Sequence, residues 1–279
     1  MKVAIWEKYG FTKESFYNKI HDLYTKDVSF RNIAKECGCS RGSVENICRK
    51  NNWTRPVAEW RINNANARNV NIVGKELETI NGILLGDGSM KCTAITSSLT
   101  YGCEFKETLI DIQNDLPSLE FGNISIDQGG CFHFASMFYV SLEKIRKRWY
   151  PNYGDKIFPK DVKLTPLCCY WWFVGDGFCR QRGGEMGLCT ECFDKDSLDY
   201  LLSELTSLGF NVGTYKHKPT DEGLRIRIKA ASIDAFLDYC CSDHKIVDQY
   251  AYKWVYSKPG YASKEGRKEY YERQLLRAN

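Results

Sequence analysis

An apolar run closed by Gly-Asp-Gly occurs twice in this chain, as "INGILLGDGSM" over 80–90 and as "WWFVGDGF" over 171–178. Asp87 and Asp176 stand 89 residues apart, each at the end of a stretch with helical character. A carboxylate there meets the negative end of the helix dipole, which disfavours it. One such ending is ordinary, because an Asp before a left-handed Gly often stops a helix. Two of them at this separation point to a repeated α/β unit.

The segments after each motif agree. The first is followed by a strand-like "CTAITSS", a helix "KETLIDIQNDL", strands "GNISI" and "CFHFASM", and a helix "FYVSLEKIRKRWY". The second is followed by "GLCTECF", a helix "DKDSLDYLLSELTSLGF", strands "VGTYKHK" and "LRIRIKA", and a helix "SIDAFLDYCC". This predicts a duplicated α+β architecture. Gly82 and Gly86 lie four apart, on one helix face, and permit close approach of a second backbone.

"INGILLGDG" and "CYWWFVGDG" resemble the nine-residue signature of the LAGLIDADG homing endonucleases in their single-chain, two-motif form. The likeness runs over about residues 76–257 and is nearest to the monomeric endonucleases of mitochondrial introns. The resemblance implies a pseudo-twofold αββαββα fold with saddle-shaped antiparallel sheets. Its two motif helices would pack side by side and bring Asp87 and Asp176 together on DNA phosphates. The implied metal site holds Mg²⁺ at Asp87 and Asp176, with Gly86 and Gly175 beside them. Hard oxygen donors suit such an ion, which activates water and stabilises a leaving 3′ oxygen. Like charge and dipole together predict a raised pKa for one acid unless a cation intervenes. Family members add a basic residue from each half, and the matching segments "KIFP" and "QYAYKWV" nominate Lys156 and Lys253. The implied activity is a metal-dependent double-strand cut with short 3′ overhangs in a specific DNA site, made by a monomer. One departure stands out: Trp171 occupies a position where the signature has a small residue, so the two halves of the helix seam cannot pack alike. Trp171 and Trp172 both read as core.

The front of the chain carries a second module. "SFRNIAKECGCSRGSVENICRKNNW" (29–53) reads as two helices around a turn at Gly38, and "KESFYNKIHDLY" supplies a third. Ala34, Gly38 and Val44 stand at the spacing of the small, turn and β-branched positions of a DNA-binding helix-turn-helix. Arg41, Ser43, Asn46 and Arg49 then face a major groove, with Lys50 on phosphate. Residues 1–75 hold 14 Lys/Arg against 7 Asp/Glu, whereas 76–257 hold 19 against 25, so the front end supplies much of any attraction for a polyanion. Arg61 and Arg68, in an Asn- and Arg-rich linker, are candidates to follow a DNA backbone or minor groove, or to be simply solvated.

Within the acidic middle, "LRIRIK" (224–229) alternates Arg225, Arg227 and Lys229 against Leu224, Ile226 and Ile228. With Lys216, Lys218, Arg180 and Arg182 this predicts a cationic sheet face lying on DNA. The plan is therefore residues 1–55 as a helix-turn-helix domain, 56–75 as linker, 76–160 and 161–258 as the two repeats, and 259–279 as a charged tail. Thirteen cysteines without a signal peptide or any run long enough to span a bilayer predict an intracellular protein with free thiols and no membrane partner. The single CxxC, Cys189–Cys192, lacks a second pair and reads as core cysteines. Two other readings remain open: a regulator of the WhiA type, which joins a retired endonuclease fold to a helix-turn-helix and needs no acids, and an intron maturase acting on RNA.

Overall fold

The computed structural model describes residues 6–7, 10–26, 28–53, 62–63, 66, 69–152, 154–180, 185–220 and 222–254. Arg61, Arg68, Arg182, the Arg180 side chain and the tail 259–279 lie outside the described residues. The chain forms two compact units, Met1–Asn64 and Ala65–Asn279.

In the first unit, α1 (Lys13–Thr25), α2 (Phe30–Cys37) and α3 (Arg41–Lys50) each start at a hydroxyl cap. Thr12, Ser29 and Ser40 accept from the amides of Ser15, Asn32 and Ser43, which satisfies donors that a first helical turn leaves open. Gly38 ends α2 at φ 65°, the left-handed geometry that turns the chain into α3. Phe16, Ile20, Ile33, Ala34, Val44 and Ile47 close around this turn as a separate core.

The second unit repeats one plan. Its first copy runs α4 (Lys75–Leu85), β1 (Ser89–Cys92), β2 (Ser97–Cys103), α5 (Lys106–Asp115), β3 (Ser125–Ile126), β4 (Phe132–Ala135) and α6 (Val140–Trp149). The second runs α7 (Pro166–Asp176), β5 (Gly177–Arg180), β6 (Glu185–Leu188), α8 (Lys195–Ser207), β7 (Val212–Tyr215), β8 (Arg225–Ile228) and α9 (Ile233–Cys240), with a short 3₁₀ segment at Asp248–Trp254. Both sheets are antiparallel and share one topology, β1-β2-β4-β3 and β5-β6-β8-β7. The αββαββα order holds in both copies. The sequence reading missed the leading strand of each, because β1 and β5 begin within two residues of the motif acids and are too short to show a two-residue period.

The seam of the unit is the contact of α4 with α7. α4 is buried from Thr79 to Leu85 and α7 from Leu167 to Val174. At Gly82 a methyl group would sit 2.4 Å from the Cys168 carbonyl oxygen and 2.9 Å from the Trp171 Cβ. At Gly86 it would sit 3.3 Å from the Gly175 Cα. Backbones this close exclude any side chain at position 82. Trp171, the counterpart of Gly82 in the motif, brings its Cβ against Gly82, while its indole turns away to donate to Asp115 at 2.9 Å. Trp171 and Trp172 are fully buried. At the helix starts, Thr165 donates to Glu78 at 2.9 Å and so ties α7 to α4.

Candidate active site

Glycines at the ends of α4 and α7 bring the two motif termini into contact. A Cβ on Gly175 would lie 3.1 Å from the Asp87 amide nitrogen and 3.5 Å from its Oδ2, so the Asp87 carboxyl rests against the residue before Asp176. Asp176 is half-buried and Asp87 is the more open of the two. Burial, and after it the charge of Asp87, pushes Asp176 up to about 7 against the pull of Lys156 and Lys253. Burial also raises Asp87, although one side faces solvent, with Lys253 and Lys156 opposing. The raised acid expected from like charge and dipole is present, but desolvation is its first cause.

Each helix end is capped by a lysine from the far end of its own repeat. Lys156 Nζ donates to the carbonyls of Leu84 at 2.6 Å, Gly88 at 3.1 Å and Gly86 at 3.2 Å. Lys253 Nζ donates to the carbonyls of Val174 at 2.6 Å and Gly175 at 3.0 Å. These are carbonyls that a helix C-terminus leaves without partners, and an ammonium there offsets the negative dipole end. That is how the fold tolerates an acid in such a position. The lysines are fixed from behind: the Ile157 amide donates to the Trp149 carbonyl at 2.8 Å, and the Phe158 amide to Ser197 Oγ at 2.9 Å. In the second repeat Trp254 is buried beside Phe173, their rings 4.9 Å apart. Burial lowers Lys156, and it lowers Lys253 to about 8, with the two acids opposing.

Asp87 also borders a groove of about 390 Å³ over the first sheet, with Ser89, Lys91, Thr100, Tyr101, Gly102, His133 and Phe134. Among the described residues no three His, Cys, Asp or Glu side chains cluster to hold a metal. The donor set is thus two carboxylates with backbone oxygens, which suits a hard divalent cation that keeps waters and takes substrate phosphate oxygens. The Gly86 and Gly175 carbonyls already accept from lysine, leaving each only its second lone pair.

In the second sheet, Ile226 and Ile228 are buried while Arg227 and Lys229 are exposed, so β8 has the two faces read from its alternation. Lys216 and Lys218 are exposed as well. The arginines are not unpaired charges: Arg225 Nε donates to Glu191, and Arg227 Nη2 to Glu185 at 3.0 Å. In the first unit Arg41, Asn46, Arg49 and Lys50 are exposed and Ser43 is half-buried, with Arg49 donating to Asn46 at 2.9 Å.

The CxxC corrects the sequence reading. Cys192 is exposed rather than core and lies near the buried Lys156, with its thiol pushed up by burial. The half-buried Cys189 is raised to about 11, by burial first and then by Asp176. Neither residue type nor spacing signalled this placement, which comes from the Cys189 amide bonding the Asp176 carbonyl at 3.0 Å. None of the thirteen cysteines forms a disulfide.

Residues 77–236 match the family model of the LAGLIDADG DNA endonuclease family. The chain belongs to this family. The LAGLIDADG fold is shared with the homing endonuclease I-WcaI, solved bound to its DNA recognition sequence, at 16% identity and a TM-score of 0.58 over 74% of this chain and 96% of that one. Weaker likenesses are to full-length DUF199/WhiA from Thermatoga maritima, at 13% identity and 0.43 over 76% and 64%, and to I-DmoI in complex with DNA and Mn, at 11% and 0.39 over 60% and 99%. Only the first exceeds a TM-score of 0.5, and at its identity it speaks to fold alone. No curated protein matches the sequence. In this LAGLIDADG chain no helix among the described residues is long and apolar enough to cross a membrane.

Proposed function

We propose that the chain is a monomeric, metal-dependent, site-specific DNA endonuclease that cuts both strands of its target. The observation that carries this reading is the meeting of Asp87 and Asp176 at the seam, each with a buried lysine on its own helix end. A carboxyl raised by burial beside a second acid is the kind of perturbation that catalytic centres arrange.

Asp87 and Asp176 would hold Mg²⁺, which supplies Lewis acidity and lowers the pKa of water. The remaining work belongs to the chain. The seam sets the separation of the carboxylates because Gly82 and Gly86 allow no slack between α4 and α7. Lys156 and Lys253 hold positive charge at the two helix ends, where a phosphodiester gains negative charge as it is attacked. The outer faces of the two sheets would lie on the DNA. In the first unit Arg41, Ser43, Asn46, Arg49 and Lys50 would grip it further, adding affinity that falls with salt. A DNA substrate places this work inside a cell.

Incubating the full chain with randomised duplex DNA, with and without Mg²⁺, and sequencing the ends tests the reading. The expected product is a two-strand cut with short 3′ overhangs at one sequence, formed only with the metal. Specific binding without cutting in Mg²⁺ or Mn²⁺ would instead establish a regulator.

A further inference from the structure

The outer faces of the two sheets carry different chemistry. On the first, Ser89 and Thr100 stand opposite each other with hydroxyls 2.8 Å apart, Lys91 follows on the same strand, His133 on the same face bonds Asp127 at 2.9 Å, and none of β1 to β4 contains an arginine. On the second, Arg227 stands in register with Gly187 on one neighbour and Gly213 on the other, so no in-register side chain crowds it. Its guanidinium lies 4.6 Å from the Tyr215 ring centroid and donates to Glu185. Arg225 stands opposite Tyr215, lies 5.9 Å from the Phe178 centroid and gives its Nε–H to Glu191. A guanidinium has five N–H groups, and each carboxylate contact recorded here takes one.

We propose that the two halves of the DNA target are read unequally, with the second sheet selecting guanines through Arg225 and Arg227 and the first sheet discriminating less. The inference rests on the DNA-cutting reading above and names what its target must contain. In the major groove guanine presents O6 and N7, two acceptors that match a guanidinium fork. Arginines held by a carboxylate and an aromatic face lose less freedom on docking than free ones, so their preference is expressed more fully. Serine and threonine hydroxyls both donate and accept, and pair with any base. The ion pairs have a rival explanation, that they only neutralise the face, and the two explanations give opposite results when a carboxylate is removed.

The test is selection of randomised duplex by the full chain in EDTA, then addition of Mg²⁺ to the selected pool. Expected are guanine positions concentrated in one half-site. Arg225→Ala and Arg227→Ala should each relax one of them by about 5- to 100-fold while leaving the other half unchanged. Arg225→Lys and Arg227→Lys, which keep the charge and fill the space, should relax the same positions even if an alanine variant folds poorly. Thr100→Val should act only on the other half, and by less. Glu185→Gln should weaken the guanine preference of Arg227. If it raises affinity and leaves preference intact, the pair is a charge mask and the proposal falls. Equal selectivity in both halves, guanine positions that ignore both arginines, or no selected sequence at all would overturn it too. Cutting after Mg²⁺ reports separately on the nuclease, so a pool that is selected but never cut ends that reading while the base preferences still decide this one.

Discussion

The two repeats agree where they meet and differ where they face outward. Each ends its motif helix in an acid, caps that helix with a lysine from its own far end, and builds its sheet in the same strand order. Their outer faces differ, with hydroxyls, Lys91 and the Asp127-held His133 on one and carboxylate-held arginines on the other. Even the seam is equal only in outline, since Gly82 and Trp171 are motif counterparts with opposite bulk. The comparison separates two demands. Cutting two antiparallel strands asks for the same constellation twice, whereas reading an asymmetric sequence asks for two different surfaces.

If the centre is functionally twofold, Asp87→Asn and Asp176→Asn should each lower cleavage by at least about 100-fold in single-turnover assays, with binding nearly unchanged. A variant that still nicks one strand at full rate would show that the halves work independently. Next in size is the seam. Gly82→Ala forces a methyl into the Cys168 carbonyl and should cost about 2–3 kcal/mol by denaturant midpoint. Gly213→Ala, whose Cβ would meet nothing nearer than 3.7 Å, should be almost neutral. Lys156→Ala and Lys253→Ala should each slow cutting by about 10- to 100-fold with little change in affinity. Unequal losses would break the comparison at its strongest point.

The pH behaviour sharpens it further. Asp176 titrates near 7 in the folded chain against an ordinary 3.8, so the folded state binds the extra proton between those values. Stability of the metal-free protein therefore falls as pH rises across that window. Asp176→Asn should abolish the fall and gain about 1–2 kcal/mol at pH 8, a figure reduced for solvent screening of a half-buried group. The smaller pH effect belongs to His244, a second-repeat residue that bonds Asp115 of the first at 2.9 Å. Burial would lower its pKa, but the hydrogen bond to Asp115 and its charge outweigh this and raise it. That contribution is whole below about 6.5 and disappears as pH climbs through the raised value, so Asp115→Asn should flatten a term of about 1 kcal/mol there.

The repeat was legible because Gly-Asp-Gly after an apolar run, and the alternation at 224–229, are local patterns with a physical cause. Asp87 and Asp176 followed from the first and the buried Ile226 and Ile228 from the second. Lys156 and Lys253 came through family likeness alone; nothing in "KIFP" itself announces three carbonyl partners some 70 residues back. The pairing of Arg225 with Glu191, in the turn after β6, and of Arg227 with Glu185 was invisible for the same reason, being made by the fold rather than by sequence proximity. The CxxC misled because a turn, not a strand, holds it, so its thiols were assigned to a core that they only border.

The pairing of an absent side chain at position 82 with the Cβ of Trp171 also fixes which halves can partner. A second half placed against a copy of itself would bring a Cβ to the one place where the seam has no room for it. The two halves are not interchangeable: each is the other's mould.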